Sequence, residues 1–331
     1  MARLIVTFSG GKDSLASLLY TFENISKKVE IVFCDTIWES PLTYEHIDYV
    51  SKKLNMPIKV LKSKKYNGMV DLAIKKKRFP STKARFCTEE LKAIPMIDWL
   101  LDEVKDHVLI IQGIRAGESA SRAKMKANCT FFKYYFEPYR TNETLLSDLE
   151  AKLWLLRVKR KKISEKLLND IEILKAKIAK GLLEPKYYTY RKKDVFKFRE
   201  QFADDILRPV FYWTGQQAID YSLEKGFEPN RLYSLGFKRV GCFPCVMSGL
   251  IEVYYISVHF PERIDEIREY EGIIGHSFYP PEYIPKWACK NGEYAFIDEI
   301  VAYVTNKYAS GGLFENEEEK SCMSFYGLCG T

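Results

Sequence analysis

The hexapeptide Ser9-Gly10-Gly11-Lys12-Asp13-Ser14 follows a β-forming run, Leu4 to Phe8, and opens a helical pattern from Ser14. A strand that turns within two glycines into a helix aims successive N–H groups, and the helix N-terminus, at one point in space. That geometry suits an anion. Ser9 and Ser14 add hydroxyl donors and Lys12 adds a positive charge. Asp13 is out of place beside phosphate unless it caps the helix or helps to hold Mg2+. An ordinary glycine-rich β–α turn would account for two glycines; six fitting residues at the end of the first strand favour a phosphate loop. The longer glycine spacing of a Walker A loop is absent.

The residues around this loop repeat its rhythm. Glu30 to Cys34 reads as a strand followed by a helix near Tyr44 to Leu54, and Ile58 to Leu61 as a strand followed by a helical stretch. His107 to Gln112 reads as a further strand. Alternation of this kind predicts a doubly wound parallel α/β sheet with crossover helices, whose ligands bind at the carboxyl ends of the strands. From Leu145 to Ile178 apolar residues recur at spacings of three and four, interrupted at Arg160, around the run Arg157-Val158-Lys159-Arg160-Lys161-Lys162. This is one long helix or a helical hairpin, and its basic face is either solvated or docks nucleic acid. The expected organisation is a nucleotide-binding α/β domain over 1–144, a basic helical insertion over 145–195, and a remainder over 196–331 with an irregular, cysteine-containing C-terminal region.

The 331 residues are 47% hydrophobic and 29% charged, so the chain should bury a core and stay folded. No apolar stretch reaches membrane-span length and no signal peptide is evident, so the expected location is the cytoplasm. There the eight cysteines are better read as thiols or metal ligands than as disulfides. A formal charge of +7 permits an anionic partner without requiring one.

Three further segments carry chemistry. Asp35-Thr36-Ile37-Trp38-Glu39 follows the second strand, where Asp35 and Thr36 suit a helix cap, a ligand contact, or both. Gly113-Ile114-Arg115-Ala116-Gly117-Glu118-Ser119 with Arg122 follows the His107–Gln112 strand. Its two arginines can grip phosphate or sulfate in bidentate fashion. Cys242-Phe243-Pro244-Cys245 suits two thiolates on one metal or cluster, or a redox dithiol. Cys87 is a third thiol candidate, whereas Cys34 and Cys129 read as inert buried cysteines.

Together these motifs resemble the PAPS (phosphoadenosine-phosphosulfate) reductase-like group and the N-type pyrophosphate-loop ATP pyrophosphatases. The resemblance rests on Ser9 to Ser14, Asp35-Thr36-x-x-Glu39, Gly113-x-Arg115-x-x-Glu118-Ser119-x-x-Arg122 and Leu232-Tyr233-x-x-Gly236-Phe237-x-Arg239-x-Gly241-Cys242-x-x-Cys245. Arg85-Phe86-Cys87-Thr88 through Lys92 and Pro95 matches the cysteine stretch of the iron-sulfur members, with Thr88 where they have a second cysteine. The resemblance implies an adenine nucleotide alpha-hydrolase-like fold. It also implies ATP or an adenylyl sulfonucleotide on Ser9, Gly10, Gly11, Lys12, Asp13, Ser14, Asp35, Thr36, Gly113 and Arg115, with Lys12, Asp13, Arg115 and Arg122 as the working groups.

It further implies a four-iron cluster, or zinc, on Cys87, Cys242 and Cys245, with the fourth ligand open among Cys322, Cys329 and Cys289. Because Asp13 is retained, the resemblance favours cleavage of ATP to AMP and pyrophosphate coupled to sulfur transfer, as in the similar DNA phosphorothioation sulfurtransferases. The alternatives are a sulfonucleotide reductase making sulfite with a thiol donor such as thioredoxin, and a non-catalytic nucleotide sensor that binds nucleic acid through the insertion. A sulfur or electron donor protein is the expected partner; a membrane is not.

Overall fold

A computed structural model of the chain describes residues 2–81, 84–290, 292 and 294–308. Six strands form one sheet: β1 (Arg3–Thr7), β2 (Glu30–Cys34), β3 (Ile58–Leu61), β4 (Val108–Gln112), β5 (Asn128–Thr130) and β6 (Asp204–Leu207), in the order β3-β2-β1-β4-β6-β5. β1 runs parallel to β2 and to β4, and β2 parallel to β3; Thr7 stands opposite Val32 on one side and Gln112 on the other. The chain therefore winds outward from β1 in one direction and returns to β4 in the other. This makes the carboxyl end of β1 a switch point, where open α/β sheets leave a crevice for ligands. Ser9 to Ser14 begins there.

Helices α1 (Lys12–Asn24) and α2 (Pro41–Leu54) pack on the sheet through Leu15, Leu18, Ile47 and Val50, against Val6, Phe8 and Ile31. α2 starts earlier than its apolar pattern predicts. Ser40 accepts Leu42 N–H at 3.3 Å and Pro41 takes the first turn, so Ser40 is the cap and not Asp35 or Thr36. α3 (Gly68–Lys76) follows β3, and α4 (Phe86–Thr88) passes through a π-helical turn, Glu89–Ala93, into α5 (Ile94–Trp99). A short α6 (Ala120–Ala123) follows β4.

Residues Thr130–Asp204 form a second compact unit, with α7 (Lys133–Phe136), α8 (Asn142–Val158), α9 (Glu165–Ala179) and α10 (Lys192–Gln201). The long periodic stretch is thus a hairpin, with Arg160 in the left-handed region (φ 49°) at its bend. Leu167 and Ile171 are buried, while Arg157, Lys159, Lys161 and Lys162 are exposed.

After β6, α11 (Gly215–Glu224) packs on α1. Around the irregular Cys242–Cys245 segment, the described residues of the C-terminal part also hold three helices, α12 (Leu250–His259), α13 (Pro261–Ile274) and α14 (Ile297–Tyr308). Three apolar stripes, Val253/Ile256, Ile264/Ile267 and Ile297/Ile300/Val304, close a second core around Trp38, Leu72, Leu91 and Phe243. Among the described residues, no helix is long and apolar enough to cross a membrane.

Candidate functional site

The loop is braced from within. Ser14 Oγ donates to Gly11 C=O at 2.8 Å and accepts Ser9 N–H at 3.2 Å, which draws the turn tight under the first residues of α1. Gly10 has φ +74°, and a Cβ there would lie 2.9 Å from Thr43 Cγ2, so only glycine fits. Gly113, at the end of β4, is more constrained still. A Cβ on it would stand 2.4 Å from the backbone of Ser14, so the β4 loop lies directly against the start of α1.

That close approach delivers Arg115. Its Nε donates to Asp13 Oδ1 at 2.6 Å, and both residues are buried. Asp13 thus orients an arginine, and α1 itself has Gly11 at its cap position with no side-chain cap bond. Gly215, the first residue of α11, lets both cations approach; a Cβ there would be 3.3 Å from Arg115 Nη2 and from Lys12 Cε. Arg122 pairs with Glu118 on the following turn.

Positive charge is crowded here. The Lys12 ammonium is pushed below its ordinary pKa, first by burial and then by Arg115, Arg239 and Arg122, with only Asp13 opposing. Arg122 is lowered for the same reasons: burial first, then Arg239, Arg85 and Arg115. Four cations, Lys12, Arg115, Arg122 and Arg239, are set against two carboxylates, Asp13 and Glu118. The missing counter-charge is an anion's.

Asp35 and Thr36 lie at the end of the neighbouring strand and face different partners. Asp35 Oδ1 accepts Ile37 N–H at 2.8 Å and the Tyr44 hydroxyl at 2.7 Å, and its Oδ2 is 3.3 Å from Lys62 Nζ. Thr36 Oγ1 donates to Glu39 Oε1 at 2.8 Å and sits 3.7 Å from Cys242 Sγ. Glu39 is buried and also accepts the N–H groups of Thr36 (3.2 Å) and Trp38 (3.1 Å). Burial nonetheless raises its pKa, against the pull of Lys92.

The Cys-x-x-Cys segment is stitched to this same turn. Glu39 and Cys242 form an isolated antiparallel bridge, Phe243 N–H donates to Trp38 C=O at 2.6 Å, and Trp38 Nε1 donates to Pro244 C=O at 3.0 Å. Lys92, from the π-helical turn after Cys87, stands among the thiols. Its pKa is raised by Cys242 first, then by Glu39, Cys34 and Cys245 against burial. Burial pushes the Cys242 and Cys34 thiols up to about 11, and burial followed by Cys245 raises Cys87.

Cys87, Cys242 and Cys245 are all within electrostatic reach of the Lys92 ammonium, and as soft, deprotonatable donors they are of the right kind for iron-sulfur or zinc. Among the described residues, however, no three His, Cys, Asp or Glu side chains are drawn into a ready metal cage. Cys289 is a buried thiol donating to Pro285 C=O at 3.6 Å, and Cys322 and Cys329 lie outside the described residues. Cys34, read as inert, donates to Lys92 C=O at 3.7 Å, and Cys129 contacts Arg208 Nη1 at 3.4 Å.

Residues 230–241 link the two places. Tyr233 Oη accepts Lys12 N–H at 3.0 Å, Lys12 Nζ stands 4.9 Å from the Tyr233 ring centroid, and a Cβ on Gly11 would touch Val240 Cγ2 at 3.1 Å. Asn230 Nδ2 donates to Gly10 C=O and to Thr43 Oγ1, each at 3.3 Å. Tyr233 and Arg239 are visible in the sequence only as motif letters before the cysteines. Nothing local to them shows that they return to the first strand's loop.

A family model described as the phosphoadenosine phosphosulfate reductase domain matches residues 3–130 and 160–248. An uncharacterized 37.8 kDa protein of Escherichia phage 186 is 26% identical over an alignment covering 98% of this chain and 96% of that protein. An uncharacterized protein of Methanocaldococcus jannaschii is 24% identical; the match covers 81% of this chain and 42% of the longer relative. Among solved structures, the phosphate complex of phosphoadenylyl-sulfate reductase from Candida auris matches with a TM-score of 0.41 and 15% identity, covering 74% of this chain and 83% of that one.

Proposed function

The chain belongs to the phosphoadenosine phosphosulfate reductase domain family, and from that premise we propose that it holds ATP on the Ser9–Ser14 loop and cleaves it to AMP and pyrophosphate in the course of sulfur transfer. The observation that carries this reading is the buried Asp13–Arg115 pair. It fixes one arginine beside Lys12, within a group of four cations that outnumbers its two carboxylates, Asp13 and Glu118. Loop N–H groups, Lys12 and the Tyr233 hydroxyl, whose own proton is left to donate, would receive the phosphate oxygens. Arg115 and Arg122 would hold the α-phosphate or the acceptor.

The chemistry balances as two displacements. An acceptor oxygen attacks the α-phosphorus, the α–β P–O bond breaks, and pyrophosphate leaves with both electrons of that bond. A sulfur nucleophile then displaces AMP from the adenylated acceptor. Preorganised cations lower the first barrier because negative charge grows on the departing pyrophosphate. Asp13 is committed to Arg115, so no step is assigned to magnesium. Cys87, Cys242 and Cys245 would hold an iron-sulfur cluster, which when bound supplies electrons or sulfur; the role of the chain's own residues there is to keep the thiols beside Lys92 and Thr36.

A second reading, reduction of an adenylyl sulfonucleotide to sulfite with a thiol donor, is favoured by the thiols standing one turn from the strand-end crevice. Incubating the protein with ATP and with each sulfonucleotide separates the two. Pyrophosphate without sulfite supports the first, and thiol-dependent sulfite without ATP turnover supports the second. If neither nucleotide binds, both fail.

A further inference from the structure

Beside the phosphate loop, the carboxyl ends of β2 and β3 border a cavity of about 340 Å3 whose lining shares only Asp35 with the residues assigned to ATP. Lys62, Lys64, Lys65 and Lys75 line it, together with Asp35 and Asp71. Three of the exposed ammonium groups lie near carboxylates: Lys62 by Asp35 at 3.3 Å, Lys64 by Asp102 at 2.9 Å and Lys75 by Asp71 at 2.8 Å. An ammonium has three donors and one carboxylate oxygen takes one, so these surface pairs leave each lysine donors for a further anion. Lys65 and Lys75 also stand 5.0 Å and 5.5 Å from the Tyr66 ring centroid.

With four lysines against two aspartates on its lining, the cavity is net positive. Its wall is closely fitted. Gly68 has φ +86°, and a Cβ there would lie 2.7 Å from Ile37 Cβ and 2.8 Å from Thr36 O. Ile37 itself is held at φ 53°, a conformation that costs a β-branched residue energy. The turn bearing the lysines is thereby pressed against the Asp35–Thr36 segment.

We infer that this cavity is a second anion subsite, built for a phosphate or sulfate group. Two sources share that chemistry: the terminal phosphate of a nucleotide whose phosphate chain runs on from the loop past Asp35, or a separate phosphate- or sulfate-bearing reactant. The first source rests on the ATP reading and the second stands without it.

The test uses the full chain, with inorganic pyrophosphate and α,β-methylene-ATP as probes in calorimetric titrations. The comparison protein carries Lys62→Gln, Lys65→Gln and Lys75→Gln, and Lys65→Glu alone serves if the triple variant fails to fold by circular dichroism. If the reactant is separate, wild type saturated with the analogue still takes up pyrophosphate, and the triple variant binds it about tenfold or more weakly. If the nucleotide's own end fills the cavity, analogue-loaded wild type takes up none, and the triple variant loses about tenfold in affinity for the analogue. Lysine-sensitive pyrophosphate binding in a protein that does not bind the analogue would uphold the subsite while ending the ATP reading. Unchanged binding of both probes by the lysine variants overturns the subsite.

Discussion

The loop end of the crevice is crowded with cations, whereas the cysteine end sets one ammonium among a carboxylate and thiols whose burial keeps them protonated. At the loop, Lys12, Arg115, Arg122 and Arg239 outnumber the carboxylates of Asp13 and Glu118, and burial, then like-charge repulsion, lowers the pKa of Lys12. At the cysteines, one ammonium, Lys92, stands among Cys242, Glu39, Cys34 and Cys245, and its pKa is raised. A site short of an anion is prepared to bind one. A lone cation among thiols is prepared to hold them as thiolates once something offsets the cost of their burial. Residues 230–245 touch both places, with Tyr233 on Lys12 N–H at one end and Cys242 bridged to Glu39 at the other.

The largest effect that could break this contrast is expected from Arg115→Ala. It leaves the Asp13 carboxylate buried and unpaired, which should cost about 3–5 kcal/mol of stability, read as a shift in denaturant midpoint, and abolish ATP binding. If the variant is as stable as wild type, the pair does not organise the site. Glu39→Gln acts only at the cysteine end. It sets an amide where one carboxylate accepts two N–H groups and two hydroxyls, and should cost about 1–3 kcal/mol while leaving ATP affinity within a few-fold of wild type. A parallel loss of ATP affinity would show that the two ends are not separable.

His46, on α2 behind Gly10, is buried with Nε2 unpartnered, and burial lowers its pKa from 6.5 to about 4. A depressed histidine pKa means that the unfolded chain binds the proton more readily. Stability is therefore full above pH 6.5 and is lost as the pH falls toward 4. Between pH 7 and pH 5 the loss should be about 2 kcal/mol, and His46→Leu should remove it from the difference between the two denaturation curves. The smallest effect belongs to Tyr233→Phe. Loss of one hydrogen bond to Lys12 N–H should cost about 1 kcal/mol and weaken ATP about fivefold, with thiol reactivity toward maleimide unchanged.

Most of the loop end was legible because its information is contiguous: Ser9 to Ser14 carries its own turn, hydroxyls and charge, and Gly113-x-Arg115 directly follows a strand. The role of Asp13 was not legible, since its partner lies 102 residues away. The cysteine end is assembled from residues 34–39, 87–92 and 242–245, so the thiols, Glu39 and Lys92 could be named as motif residues but not the packing that brings the acid and the ammonium to the thiols. Glu39 is buried and Lys92 half-buried only once these three segments meet. The C-terminal helices α12 and α13 escaped for another reason: each buries only two apolar residues of its stripe, Val253 and Ile256 on one and Ile264 and Ile267 on the next, too short a period to stand out.

The central claim is that the crowded cations at the loop await a nucleotide's phosphates. Calorimetric titration of the protein with ATP, repeated with Arg115→Lys to preserve charge while removing the guanidinium fork, tests it most directly. Saturable binding by wild type that falls about tenfold or more in Arg115→Lys is the expected result. No detectable ATP binding by the wild-type protein, or equal binding by both, would contradict it.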